Sequence, residues 1–457
     1  MGEFFQQRQE LIAQDIKDLA LMKPTELEIL ANLKLSQIKE QFSTQYSIDD
    51  MLDFWSIRDS VINTRLFQIF KKMPKGAVLH MHYGGMLPAV DVLSILKNDP
   101  EIYIKTIDNC PYIFSSCQTD SISLTQYLEN PENEKTLLNV LETNREKSVG
   151  LPSECWSSFM QIFTSTLSAF SDNRILEKYI ELAFTRFYED NVQRVEFRHM
   201  PFSIQATETD GLPSENIAFL KNVCERFTSN HPDFTSGAIL CTIKLFSKER
   251  IIKETEEIYM LHLLFPKFVL GFDIPGEEEK YREDEDIFGD IHRISENAKK
   301  SGNHCPIFLH AGEVVNKPGP TVYDAFAIGS KRIGHGISLI KHPQLLRIAK
   351  KEKITIESCP ISNMILGYVR DPRVHPALAY LFQGIPVTIS SDDPGCFGYS
   401  GVTHDWVWIY MLWGINLMHV KKMIENSIDG CTEPEEVRRV WEGKWQEFIE
   451  YLANLEI

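Results

Sequence analysis

The sequence predicts an α/β fold, a (β/α)8 barrel of the TIM type with an N-terminal helical extension, and three observations carry this. Short apolar or β-branched runs recur eight times after residue 74, and most intervals between them hold a helical pattern. Neither G-x-G-x-x-G nor G-x-x-x-x-G-K-[ST], which an open doubly wound sheet would need for a phosphate turn, is present. Eight parallel strands are the number that closes the barrel, and 457 residues accommodate it with insertions.

Residues 1–73 read as helices: LIAQDIKDLALM, then TELEILANLKLSQIKEQF beyond Pro24, then MLDFWSIRDSVINTRLFQIF, each with apolar residues at helical spacing. At KKMPKG the pattern changes. The runs that follow are 77–82, 192–198, 237–243, 267–273, 305–310, 332–336, 354–358 and 386–393, with helical patterns at 214–228, 290–302, 321–330 and 342–353. Residues 74–457 therefore read as one barrel. The interval after the first strand is too long for a simple crossover, and its NDP, NCP, ENPEN and VGLPSE punctuation marks an inserted subdomain at about 88–150.

A formal charge of -17 argues against binding a nucleic-acid backbone, where Lys/Arg neutralisation of phosphate dominates. No run approaches the roughly 18 apolar residues of a membrane span, and Glu3, Arg8 and Glu10 interrupt what a signal peptide would keep apolar. Nine scattered cysteines without a C-x-x-C pair read as reduced thiols, so a cytoplasmic protein is expected. Cys110 and Cys117 are close enough in sequence to be bridged in an oxidising compartment.

The last residues of the predicted strands are His80 and His82, Glu196 and Arg198, Asp273, His310, His335, Glu357, and Asp392 with Asp393. In a barrel these are expected to converge on the C-terminal face. His80 and His82 alternate with Met81, so a period of two turns both imidazoles to one side. Alone, H-x-H fits a surface pair as well as a metal. HAGE (310–313) adds a third imidazole and Glu313 on one strand-to-loop turn. In RIGHG (332–336), glycines leave His335 unshielded. In SSDDPG the adjacent carboxylates of Asp392 and Asp393 are expected to diverge, one toward the axis and one along the rim. Three histidines and an aspartate at the ends of the first, fifth and last strands make an N3O donor set, as a hydrolytic zinc with an open position requires. Cysteines are not expected in this site.

The ordered series LHMH, FDIPGEE, HAGE, RIGHG, ESCPISN and SSDDPGCFG resembles the adenosine deaminase family from residue 74 to about 400. The helical lead-in, MPKGAVLH, CWSSFMQIF and VWEGKWQEFIEYL are most similar to its adenosine deaminase-related growth factor branch, whose members are usually secreted and whose N-terminal helices support dimerisation. The resemblance implies one Zn2+ per subunit on His80, His82, His310 and Asp392, with Glu313 protonating N1 of a 6-aminopurine. It implies that His335 orients the attacking water and helps take its proton, and that Asp393 bonds N7. The Gly276 N–H would lie near N3, and Trp156 would wall the pocket. The implied activity is deamination of adenosine or 2'-deoxyadenosine by a homodimer. The alternatives are a 5'- or N6-modified substrate (AMP, N6-methyl-AMP, methylthioadenosine) or a non-enzymatic growth-factor-like relative.

One stretch departs from the family. Relatives acting on adenosine place an Asp within two residues of the second histidine, and that carboxylate helps hold the ribose hydroxyls. Here Tyr83-Gly84-Gly85 follows. Losing a charged hydrogen bond weakens adenosine by roughly 1.5 to 3 kcal/mol and removes a repulsion against an anionic 5' group, so a shift at the 5' position is expected.

Overall fold

The computed structural model describes residues 2–456 apart from 20–21, 108–109, 116, 171, 203–211, 281–285 and 316–319. Each of the eight expected runs overlaps a parallel strand: β1 Ala77–Val78, β2 Arg194–His199, β3 Thr235–Cys241, β4 Val269–Asp273, β5 Phe308–Ala311, β6 Arg332–His335, β7 Thr355–Ser358 and β8 Val387–Ile389. They pair in two runs, β1-β2-β3-β4 and β5-β6-β7-β8. Single parallel bridges close the ring: Phe272 with Ile307 between β4 and β5, and Met81 with Asp392 between the ends of β1 and β8. The (β/α)8 barrel is the observed fold.

Crossover helices start and stop where side-chain chemistry provides for their open backbone groups. The Asp172 carboxylate accepts the Arg174 N–H ahead of helix Asn173–Glu189, and the Ser247 hydroxyl accepts that of Arg250 ahead of Lys248–Leu264. Gly329, at φ 80°, ends Thr321–Ile328 in a left-handed turn that side chains resist.

The first strand is shorter than expected. Ser390 Oγ accepts both the Leu79 and the His80 N–H, at 3.3 and 3.1 Å, which pulls the chain out of the ladder after Val78. The expected third N-terminal helix also divides, into Ile48–Met51, Phe54–Val61 and Arg65–Lys72, because the Thr64 hydroxyl accepts the Phe67 N–H and starts a new helix. Helix Glu26–Gln45 opens with a Thr25/Glu28 capping box and lays Ala31, Leu35, Ile38 and Phe42 into the core, packed on Pro434–Ala453.

The stretch 88–150 contains a three-stranded antiparallel sheet (Tyr103–Ile107, Cys110–Phe114, Ile122–Ser123) and helix Pro131–Leu141. Helix Pro152–Phe170 then packs on strand Cys110–Phe114 and reaches the barrel mouth. Cys110 opens that strand and Cys117 lies beyond its end. Extended backbone rises about 3.3 Å per residue, so a bridge between them would require unfolding the strand. All nine cysteines are free.

Glu196 corrects an expectation. It faces the N-terminal end of the barrel, bonded to Arg194 and Thr432 and paired at 2.5 Å with Arg332, the first residue of β6. Above it, Arg198 joins Asp273 (2.9 Å) to Glu357 (2.6 Å). Among the described residues no helix is long and apolar enough to cross a membrane.

Candidate active site

His80, His82, His310 and Asp392 meet at the C-terminal end of the barrel, each offering a ligand atom within 4.8 Å of the others. Asp392 Oδ1 lies 3.3 Å from Nε2 of both His80 and His82, and His82 Nε2 lies 3.2 Å from His310 Nε2. The outer shell fixes which ring atoms face inward. His80 Nδ1 is 2.8 Å from Glu357 Oε2, and His310 Nδ1 is 2.6 Å from Asp273 Oδ2. Nδ1 of each therefore carries the proton, and Nε2 turns a lone pair to the cluster. His80 Nε2 and Asp392 Oδ1 are buried without a hydrogen-bond partner. The converging lone pairs of His80, His310 and Asp392, with His82 Nε2 beside them, fit a cation. Burial pushes His310 down to about 3, which keeps the imidazole neutral.

Backbone strain aims two of these groups. Asp392 and His335 both sit at φ 64°, a left-handed conformation that non-glycine residues adopt only where the fold enforces it. Both aspartates line one cavity, Asp392 beside His80 and His82 and Asp393 against Gly85. Asp392 Oδ2 accepts the Ser362 hydroxyl at 2.8 Å, while Asp393 Oδ1 is buried and unpartnered. Burial, then the neighbouring Asp392, pushes the Asp393 carboxyl well above the usual range.

Glu313 stands on the loop after β5. Its Oε1 is 3.7 Å from His335 Nε2, and its Oε2 is buried without a partner. Burial holds its carboxyl well above the ordinary value, Lys244 opposes this, and Glu278 and Asp392 add to it. His335 Nδ1 lies 3.0 Å from Asn363 Nδ2.

A cavity of about 210 Å³ opens above the cluster, bounded by His82, Tyr83, Gly84, Glu313, His335, Asp392 and Asp393. Trp156 and Gly276 line it too. The Trp156 Nε1–H donates to the Tyr368 hydroxyl, and Gly276 has φ 124°. Phe159, Met160, Phe163, Leu245 and Phe246 make the remaining wall apolar. Gly85 is a glycine because a Cβ there would run into the Asp393 carboxylate; one on Gly84 would press on Phe163 at 3.2 Å.

Sequence reading missed three contributors. Glu278 accepts the backbone N–H groups of Gly312, Glu313 and Val314 at 3.1, 2.5 and 3.2 Å, which fixes the Glu313 loop. Asn363 orients His335. Cys359, against expectation, brings its sulfur within 4.8 Å of ligand atoms of His80, His335 and Asp392. Burial raises that thiol well above its ordinary value, so it stands there as a neutral S–H. FDIPGEE and ESCPISN flagged these segments without assigning those residues a task.

A sequence profile of the adenosine deaminase family matches residues 131–443. Adenosine deaminase 2-A of Danio rerio is 28% identical over 454 residues, covering 93% of this chain and 89% of its own. Adenosine deaminase 2 of Dictyostelium discoideum is 30% identical over 415 residues, covering 85% and 75%. Among solved structures, an amidohydrolase from B. ambifaria with bound Zn is similar at a TM-score of 0.63 and 16% identity, over 85% of this chain and 94% of that one. This last likeness is one of fold.

Proposed function

The chain belongs to the adenosine deaminase family and is an aminohydrolase, and from that premise we propose that it deaminates adenosine or 2'-deoxyadenosine to the 6-oxo nucleoside and ammonia, with one Zn2+ per subunit. One observation carries this reading. The donor atoms of His80, His82, His310 and Asp392 converge beside a cavity lined by the buried carboxyls of Glu313 and Asp393.

When bound by these four residues, zinc supplies a Lewis acid that brings the pKa of water to around 7. The chain's own groups do the rest. Glu313, kept protonated by burial, donates to N1 and makes C6 electrophilic. Asp393, likewise held neutral, donates to N7 and fixes the plane of the base. The Gly276 N–H bonds N3, Trp156 walls the base, and His335 positions the water.

The far wall favours a neutral sugar. N9 lies across the purine from C6, so what hangs on it faces Phe159, Met160, Phe163, Leu245 and Phe246. Arg198 is the one lysine or arginine among the described lining residues, and its nitrogens are committed to Asp273, the Leu79 carbonyl and Glu357. Among the described residues a 5'-phosphate finds no uncommitted cation there. Ammonia release by the zinc-loaded protein should be at least about tenfold faster in kcat/KM for adenosine, 2'-deoxyadenosine or 5'-methylthioadenosine than for AMP. Faster turnover of AMP would sink the neutral-sugar reading; no turnover of any would sink the activity.

A homodimer belongs to the same reading. Helix Gly2–Leu19 exposes Phe4, Phe5, Leu11 and Ile12, a face that needs a partner. Deleting residues 2–22 should convert a dimer to a monomer in sedimentation; an unchanged mass would rule this helix out.

A further inference from the structure

His335 presents Nε2 to the cavity, and the far side of its ring decides whether that atom bears a proton or a lone pair. Three contacts set it. The backbone N–H of Ala377, at the start of helix Pro376–Phe382, donates to His375 Nδ1 at 3.2 Å. That nitrogen is then an acceptor, and the neutral ring carries its proton on Nε2. His375 Nε2 lies 3.1 Å from Asn363 Oδ1, which accepts it. The amide oxygen is thereby assigned, and the Asn363 NH2 group faces His335 Nδ1 at 3.0 Å. An amide NH2 only donates, so His335 Nδ1 accepts and its proton sits on Nε2. The flipped amide would set NH2 against the His375 Nε2–H. All three side chains are 3% exposed or less, so solvent does not relieve a mismatch.

We infer that Asn363 and His375 are positioning residues that hold His335 as the neutral Nε2–H tautomer, making it a hydrogen-bond donor to the oxygen entering at C6 and not its base. This rests on the deaminase reading and changes the proton accounting within it. Water adds its oxygen to C6 while Glu313 gives its proton to N1 and takes one from that water. The second O–H proton passes to the amino group, the C6–N6 bond breaks, and ammonia leaves a C6 carbonyl and an N1–H. His335 keeps its proton throughout and stabilises charge on the oxygen.

The tautomer is read directly by 15N NMR of histidine-labelled, zinc-loaded full chain without substrate, with His335 assigned by loss of its signals in His335→Gln. The expected pattern is a protonated Nε2 and a bare Nδ1; a protonated Nδ1 overturns the relay. Asn363→Asp offers Nδ1 a carboxylate and draws the proton to the wrong side. Its kcat should fall at least about 100-fold with KM within about threefold and zinc retained. A folded, zinc-loaded Asn363→Asp with kcat within about threefold of the parent overturns the relay. His375→Gln keeps a donor for Asn363 Oδ1 and should hold kcat within about threefold, while His375→Leu should lose at least about tenfold. Equal losses in that pair overturn the relay even where Asn363→Asp does not fold. The expected tautomer without ammonia from any aminopurine sinks the deaminase reading and leaves the tautomer standing. The reverse tautomer with turnover sinks the relay alone.

Discussion

At the residue scale, what was legible in the sequence was what a local motif carries. His80, His82, His310, Glu313, His335, Asp392 and Asp393 each sit at the end of an apolar run, and a barrel gathers such ends on one face. Their protonation was not legible, because it is set by neighbours remote in sequence: Asp273 for His310, Glu357 for His80, Asn363 for His335. Glu313 gives the sharpest consequence. A carboxyl raised by burial binds its proton in the fold at pH values where the unfolded chain has released it. Its contribution to stability is full below the unfolded value of 4.5 and is lost as pH rises through the folded value. Glu313→Gln fixes the neutral form. In chelator-stripped protein it should exceed the parent in stability by about 1–3 kcal/mol near pH 8 and match it near pH 4, by thermal melts. Reloaded with zinc, the same variant should lose at least about a thousandfold in kcat. A variant that binds zinc and retains turnover would remove Glu313 from the proton path.

At the element scale, strand positions and helix positions followed from periodicity, and the departures all occur where a side chain competes with the ladder or helix. Ser390 Oγ truncates β1, and Thr64 restarts a helix. Neither of these signals has a period, so a pattern of apolar residues does not contain them. The loop after β5 belongs to the same class. Glu278 gathers three successive N–H groups and thereby holds Glu313 over the cavity, a contact spanning 35 residues of sequence. Glu278→Gln turns an NH2 toward those donors. It should cost roughly 1.5–3 kcal/mol in denaturant titrations and lower kcat with zinc still bound. Unchanged kcat in a destabilised variant would mean that the loop positions Glu313 without Glu278.

At the scale of the whole molecule, the closed barrel was legible because eight runs separated by helices admit few other topologies. Its charged interior was not. Arg194, Glu196, Arg332, Glu357, Arg198 and Asp273 form one connected network, with Arg332 joined to Glu196 across 136 residues and Arg198 to Glu357 across 159. Ile239, Leu270 and Phe308 form a small apolar cluster apart from the main core, and the Arg332 guanidinium lies over the Phe308 ring at 3.9 Å. The network ties the N-terminal end of the barrel to the groups that orient His80 and His310, so stability and site geometry share residues. Burial works to raise the Glu196 carboxyl, but Arg332 and Arg194 prevail and bring it to about 2. A depressed carboxyl contributes stability that is full above the unfolded value of 4.5 and is lost as pH falls through the folded one. Glu196→Gln leaves two buried guanidinium groups short of a counter-charge, at a cost of about 3–5 kcal/mol near neutral pH. The gap between variant and parent should close as pH falls from 4.5 to about 2, where the parent's own carboxylate takes up its proton. A gap that stays constant over that range would mean that packing around Glu196, and not its charge, holds this end of the barrel together.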